Sequence, residues 1–318
     1  MTVVALAPEH VLPAAGLVAA GVDRLRATVP ALPASWSDPV VVARVIAGLV
    51  DRGAGLAVVD DGELVAFQAA TVLDGHGGRW SYTPDVGHAA PGETGVRLRE
   101  RLYAELADGW IRSACPEHVV TVLADDEAAL ATLVHLGFGY SVVDLVRNLK
   151  PVRAGRLPPG VKVRRAVATD TGQVAELDAG LRRHLQASPV FLRLGAAPQP
   201  ELHRRRIEDP AEATFIAERA GRAIAFLRIG PCATDVATIV RDAGTASITA
   251  AFTRPEVRGT GVGSHLLAAA VEWAGRSGYV RCAVDHESAN REAARFWARH
   301  ATPVTVSMSR RLASGVLP

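Results

Sequence analysis

At 318 residues the chain is long enough for about two domains of roughly 150 residues each. Hydrophobic residues make up 49 % and charged residues 21 %, a balance that excludes a disordered, collagenous or disulfide-held chain. With 35 basic against 33 acidic residues the net charge is +2. No basic tail or patch stands out, so phosphate-backbone affinity has no source and nucleic acid is not an expected partner.

The chain opens Met1 to His10 without Lys or Arg, and Pro8 and Glu9 interrupt its apolar stretch, unlike a secretory signal. No apolar run nears the ~18 residues of a membrane span. A cytoplasmic protein without a membrane partner is expected. Cys115, Cys232 and Cys282 are widely spaced with no CxxC, which reads as three buried, reduced thiols and no metal site.

In chain order, Val58–Phe67 reads as a β-hairpin turning at Asp61-Gly62. Strand Trp80–Thr83, helix Gly95–Ala107, strand Val119–Leu123 and helix Glu127–Leu136 follow, and Gly137-Phe138 closes the half. Three prolines and two glycines between Lys150 and Gly160 then exclude a helix or central strand. The second half repeats the order. Val161–Ala166 is a strand, Thr171–Leu185 a helix opened by a Thr or Asp cap, and Glu201–Ile207 a shorter helix. Phe215–Phe226 is a second hairpin. Strand Thr245–Thr253, helix Gly261–Arg276, strand Tyr279–Val284, helix Asn290–His300 and strand Val304–Met308 complete the chain. The expected fold class is α/β (α+β): two similar domains, each with a mixed, mostly antiparallel central sheet flanked by helices. The expected domains are residues 1–150 and 161–318, joined by a linker at 151–160.

The sharpest chemical signal is Phe252-Thr253-Arg254-Pro255-Glu256-Val257-Arg258-Gly259-Thr260-Gly261-Val262-Gly263-Ser264. A strand ends there, a glycine-rich loop turns and a helix begins. Glycines let successive N–H groups converge on one point, and the positive end of the helix dipole favours a phosphate there. Arg254 and Arg258 would add charge. The loop lacks the Lys-Ser/Thr of a P-loop, and its glycine spacing differs from the dinucleotide fingerprint. Asp285, at 285 − 263 = 22 residues past Gly263, keeps a dinucleotide reading open, as a plain strand-to-helix turn also stays open.

Arg258-x-x-Gly261-x-Gly263 after a strand, with Asn290-x-x-Ala293-x-x-Phe296-Trp297 on a later helix, resembles the GNAT superfamily of N-acetyltransferases. The resemblance covers Val161 to about Leu312 and implies acetyl-CoA as co-substrate, with no metal, held between strands Thr245–Thr253 and Tyr279–Val284 where they splay apart. It implies the pyrophosphate on the amides of Arg258, Gly259, Thr260, Gly261, Val262, Gly263 and Ser264. It implies the pantetheine against the backbone of Ala251, Phe252 and Thr253, with Asn290 beside that arm. Asn is also a common helix N-cap, and both roles stay open.

Many members of that family carry a tyrosine at the position of Trp297, whose hydroxyl protonates the leaving thiolate. Indole cannot do so, and Trp297 either shapes the acyl pocket or packs in the core. A base must strip the acceptor ammonium of its proton. Asp285 or His286 is expected to act, with Glu218 as the alternative and a purely capping role as the bland reading. Arg182, Arg183, His184, Arg204, Arg205 and Arg206 read as solvated helix faces. In the first half the matching loop, Gly87 to Gly95, holds Pro91 and Glu93, which remove a donor and add negative charge. It reads as a twin domain that has lost its cofactor site. The function implied is acetyl transfer to a small-molecule amine in the second half. The alternative is an acyl-CoA-binding regulatory or scaffold protein with little turnover. A homodimer is an open alternative to a monomer.

Overall fold

Period-two apolar strands separated by tight turns, alternating with amphipathic helices, build one antiparallel and one mixed sheet. The computed structural model describes residues 1–52, 55–75 and 78–313. In chain order the elements are β1 (Thr2–Ala5), α1 (Val11–Thr28), α2 (Pro39–Val50), β2 (Gly55–Asp60), β3 (Glu63–Ala69), β4 (Thr71–Gly75), β5 (Gly78–Thr83), β6 (His88–Ala89), α3 (Gly95–Arg112), β7 (Glu117–Leu123), α4 (Glu127–His135) and β8 (Gly139–Asn148). There follow β9 (Val161–Arg165), α5 (Thr171–Gln186), α6 (Pro200–Glu208), β10 (Ala213–Arg219), β11 (Arg222–Pro231), β12 (Thr245–Thr253), α7 (Val262–Arg276), β13 (Arg281–Glu287), α8 (Arg291–Trp297) and β14 (Thr302–Arg311).

Two compact units form. Among the described residues the first holds those of Met1–Asp144, Ala237–Val240 and 303–313; the second holds Leu145–Val236 and Arg241–Thr302. The change of unit falls inside β8, ahead of the proline-rich stretch at 151–160, and the expected end at 318 lies outside the described residues. In the first unit β14 runs antiparallel to β7, from Thr305 opposite Leu123 to Arg311 opposite Glu117. Its Val306 and Met308 join Val120, Val122, Trp110 and Phe138 in one apolar cluster. The carboxylate of Asp85 accepts the amides of Thr238 (3.1 Å) and Ile239 (2.8 Å), and Asp144 accepts that of Ala237 (3.1 Å). These buried acids fasten the 237–240 segment within the first unit.

In the second unit the sheet order is β13-β12-β11-β10-β9. Every ladder is antiparallel except the parallel β12–β13 pair. In the first unit β1, β2, β3 and β6 form an antiparallel sheet of their own, and the order β4-β5-β7-β14 contains the parallel pair β5–β7. The expected mixed, mostly antiparallel sheets flanked by helices are what forms. In the second unit α5 covers one face, where Val174, Leu177, Ile207, Ile216, Phe226 and Ala250 make a core.

Local details differ from expectation. The Asp170 carboxylate does not cap α5; it takes a bidentate pair with Arg164 at 2.6 and 2.9 Å and the amide of Val167, because a guanidinium is the stronger partner. Cys115 and Cys282 are buried thiols, but Cys232, just beyond the end of β11, is partly exposed. β13 runs on through Asp285, His286 and Glu287, which the sequence suggested as a loop.

Candidate functional site

β12 and β13 pair only at Thr245–Ser247 with Arg281–Ala283. Beyond Ser247 and Ala283 each strand continues without the other, to Thr253 and Glu287. The cleft expected between them therefore opens at that point. β12 also carries a bulge there. Arg228 opposes Ala250 and Ile229 opposes Ile248, leaving Thr249 as the extra residue.

At the far end of β12 one turn over Pro255–Val257 leads into the glycine loop. Gly259 and Gly261 hold φ of +74° and +87°, left-handed values that cost other residues about 1–2 kcal/mol. Gly261 is the N-cap of the 15-residue α7. Thr260 ties its hydroxyl to the Val257 carbonyl at 2.7 Å. The amides of Arg258 and Ser264 bond to Pro255 and Gly261. Those of Gly259, Thr260, Gly261, Val262 and Gly263 have no acceptor among the described residues. Five such donors at the positive end of a helix dipole form an anion cradle. A Cβ on Gly263 would stand 3.2 Å from the Phe296 ring, so this position also lets α8 pack closely on α7.

The two expected arginine charges are already matched. Arg258 pairs with Glu292, donates Nε to the Thr253 carbonyl at 3.1 Å and lies over the Phe252 ring at 5.7 Å. Arg254 pairs with Glu176 at 2.6 Å. Their role is to fix the loop against α8 and α5, and the cradle's attraction rests on backbone amides. Ala251, Phe252 and Thr253 line the cleft side by side with β11, half-buried, with the Thr253 carbonyl occupied by Arg258.

Asn290 is buried and its Oδ1 accepts the Ala293 amide at 3.2 Å, so the capping role is real. His184 of α5 comes within 3.4 Å of the same oxygen and 3.9 Å of Glu292. His184 is thus part of this mouth, against the expectation of a solvated face. Arg182 is half-buried too, bonded to the Gly195 carbonyl. Arg183, Arg204 and Arg205 are exposed as expected. Trp297 is 4 % exposed and edge-on to Phe296 at 4.8 Å, a core position. Burial, with Arg147 and Arg299 nearby, lowers the His300 pKa; its Nε2 lies 3.4 Å from Ser264 Oγ.

Asp285 and His286 alternate along β13, so they face opposite sides of the sheet. Ser247 shares the α5 side with Arg228 and Phe226, and its partner Ala283 fixes Asp285 on that side. His286 lies on the other, buried with Cys282 and Val284, with Nδ1 3.0 Å from the Glu287 carbonyl. At most one of the two can meet the acceptor. Glu218 is held by Arg164 at 2.8 Å, which disfavours it as a base.

In the first unit the parallel pair β5–β7 ends at Thr83 and Val120. His88 Nε2 donates to the next carbonyl, Thr121, at 2.8 Å, and its Nδ1 accepts from Arg99 at 2.9 Å. Arg99 continues to Asp126 at 2.6 Å. Side chains bridge the point where these strands part. Burial and the Arg99 charge push the His88 pKa down to about 4, which keeps the ring neutral and the bridge intact.

Residues 181–301 match the Acetyltransferase (GNAT) family, so this stretch of the second half carries a GNAT acetyltransferase domain. Its fold follows that of a GCN5-related N-acetyltransferase from Sphaerobacter thermophilus, with a TM-score of 0.61 and 19 % identity over 100 % of this chain and 97 % of the other. A tandem GNAT protein from the clavulanic acid biosynthesis pathway aligns with a TM-score of 0.51 and 14 % identity, over 99 % of each chain. At these identities the likeness is one of fold. No curated protein matches the sequence significantly. Among the described residues no helix is long and apolar enough to cross a membrane, and no group of three or more His, Cys, Asp or Glu side chains could hold a metal ion.

Proposed function

We propose that the second half binds acetyl-CoA and transfers its acetyl group to the amine of a small molecule. The observation that carries this reading is the row of five unpartnered amides, Gly259 to Gly263, at the head of α7 beside a cleft between β12 and β13. Those amides would hold the pyrophosphate, Ala251–Thr253 would lie along the pantetheine, and Asn290 would flank it. The acyl end then reaches the cleft apex near Thr249.

At that apex the amine nitrogen attacks the thioester carbonyl carbon, the C–S bond breaks, and CoA departs with the electron pair. The amine must first lose a proton, and in this reading Asp285, on the α5 side of β13, takes it directly or through water. Trp297 has no hydroxyl to offer the thiolate, which takes its proton from solvent. In the first half, the His88–Arg99–Asp126 bridge, Pro91 and Glu93 support a twin that binds no cofactor.

A thiol-release assay over a panel of small amines tests the proposal. Acceptor-dependent CoA release above the hydrolytic background supports it. Tight acetyl-CoA binding with no release for any amine would point instead to an acyl-CoA sensor.

A further inference from the structure

Three polar side chains near the cleft apex have no part in holding acetyl-CoA. Arg228 sits in a buried strand and is only 6 % exposed. Among the described residues its one side-chain hydrogen bond is from Nε to Thr249 Oγ1 at 2.9 Å, on the bulge; its two terminal nitrogens have no acceptor. Asp178 of α5, 7 % exposed, has no donor on its carboxylate among the described residues. It stands on the stripe of Val174 and Leu181, where an apolar residue would continue the core. His203 of α6 is 2 % exposed and its Nδ1 is orphaned.

α5 packs on both α6 and β11, which brings the three groups within electrostatic range of one another. The charges acting on the His203 ring are those of Asp178, Arg228 and Arg206, and those acting on Arg228 are Arg206, Asp178 and Glu212. None of the three closes an ion pair with another. Of these atoms His203 Nδ1 is fully buried without a partner, which is unfavourable unless something satisfies it, while the Arg228 and Asp178 head groups keep unused bonding capacity. Thr249, exposed at the bulge, connects the cluster to the cleft. Asp285 shares the same side of the sheet.

We propose that Arg228, Asp178 and His203 form the acceptor subsite, and that the acceptor is a small amine that also carries a carboxylate. This rests on the acetyl-transfer reading and deepens it. The carboxylate takes the two terminal nitrogens of Arg228, whose planar fork matches it bidentately. Asp178 and neutral His203 Nδ1 accept from N–H or O–H groups on the same molecule. The amine is thereby directed past Thr249 toward the thioester.

The test uses α- and ω-amino acids, each assayed beside its own primary amide and beside a simple diamine. The amide's amine is less basic, so more of it is neutral at a given pH, and intrinsic reactivity favours the amide. The inference predicts the reverse: at least ~10²-fold higher kcat/KM for the best acid than for its amide. Arg228→Gln should abolish that preference, mainly through KM, with acetyl-CoA affinity within about twofold of wild type as the check on folding. If that variant does not fold, Asp178→Asn and the wild-type ratio decide.

A parallel thermal-shift titration of the CoA-loaded protein with the same pairs needs no turnover. Stabilisation by acids and not by amides upholds the subsite even if no acceptor releases CoA, a result that would overturn only the transfer reading. Equal responses to acid and amide, a preference for the diamine, or an unchanged ratio in Arg228→Gln would overturn the subsite.

Discussion

Gly261→Ala isolates the backbone contribution of the loop. At φ of +87° an alanine is strained by about 1–2 kcal/mol, although its Cβ would meet nothing within 4 Å. The exposed loop can relieve that strain by leaving the left-handed conformation, and the five amides then no longer converge. A bound pyrophosphate has to restore the geometry, so the strain is charged to binding. One to two kcal/mol corresponds to about a 5- to 30-fold weaker acetyl-CoA affinity. Gly261→Glu adds a negative side chain beside the phosphates and should weaken binding by at least a further ~10-fold. Gly221→Ala is the control. It has φ of +77° and equally open surroundings, but it lies in the β10–β11 turn. It should lose comparable fold stability while leaving acetyl-CoA affinity within about twofold of wild type. Isothermal titration calorimetry reads all three. Wild-type affinity in both Gly261 variants would refute the cradle.

Asp285→Asn should lower kcat/KM by at least ~10²-fold, most at low pH where free amine is scarce, with acetyl-CoA affinity nearly unchanged; wild-type activity from about pH 6.5 to 9 would remove Asp285 from proton transfer. Asn290→Ala should cost about 1 kcal/mol in thermal or urea denaturation through the lost Ala293 cap, and Asn290→Asp should restore it. His88 and His118 are both pushed down to about 4 by burial, so the folded chain keeps them neutral while the unfolded chain protonates them near 6.5. Their contribution is complete above about pH 6.5 and is lost as pH falls from there to about 4, by up to ~3 kcal/mol each. Melting temperatures across that window should fall for the wild type and fall about half as steeply for His118→Gln.

The glycine loop was legible because its chemistry is local. Strand, turn and helix signals fall within thirteen consecutive residues, Phe252 to Ser264, and the conformation follows from glycine itself. The hairpins at Asp61-Gly62 and Ala220-Gly221 were legible for the same reason, both turning through left-handed residues. The extension of β13 was not, because Asp285-His286-Glu287 has the composition of a loop and stays extended at the open edge of the cleft. Nor was the placement of β14, since its partner β7 lies nearly two hundred residues away in sequence and apolar alternation does not name a partner. His184 looked like ordinary surface charge until α5, the loop and α8 were brought to one mouth. Arg228 did leave a mark, as a single charge inside the run Ile224-Ala225-Phe226-Leu227-Arg228-Ile229. Its meaning needed Asp178 and His203, which reach it only through packing.

Stoichiometry tests the central claim most directly. Calorimetric titration of the wild-type chain with acetyl-CoA should give one site per chain, filled through the second half. Two equivalent sites would contradict the lost twin, and no saturable binding would contradict the account as a whole.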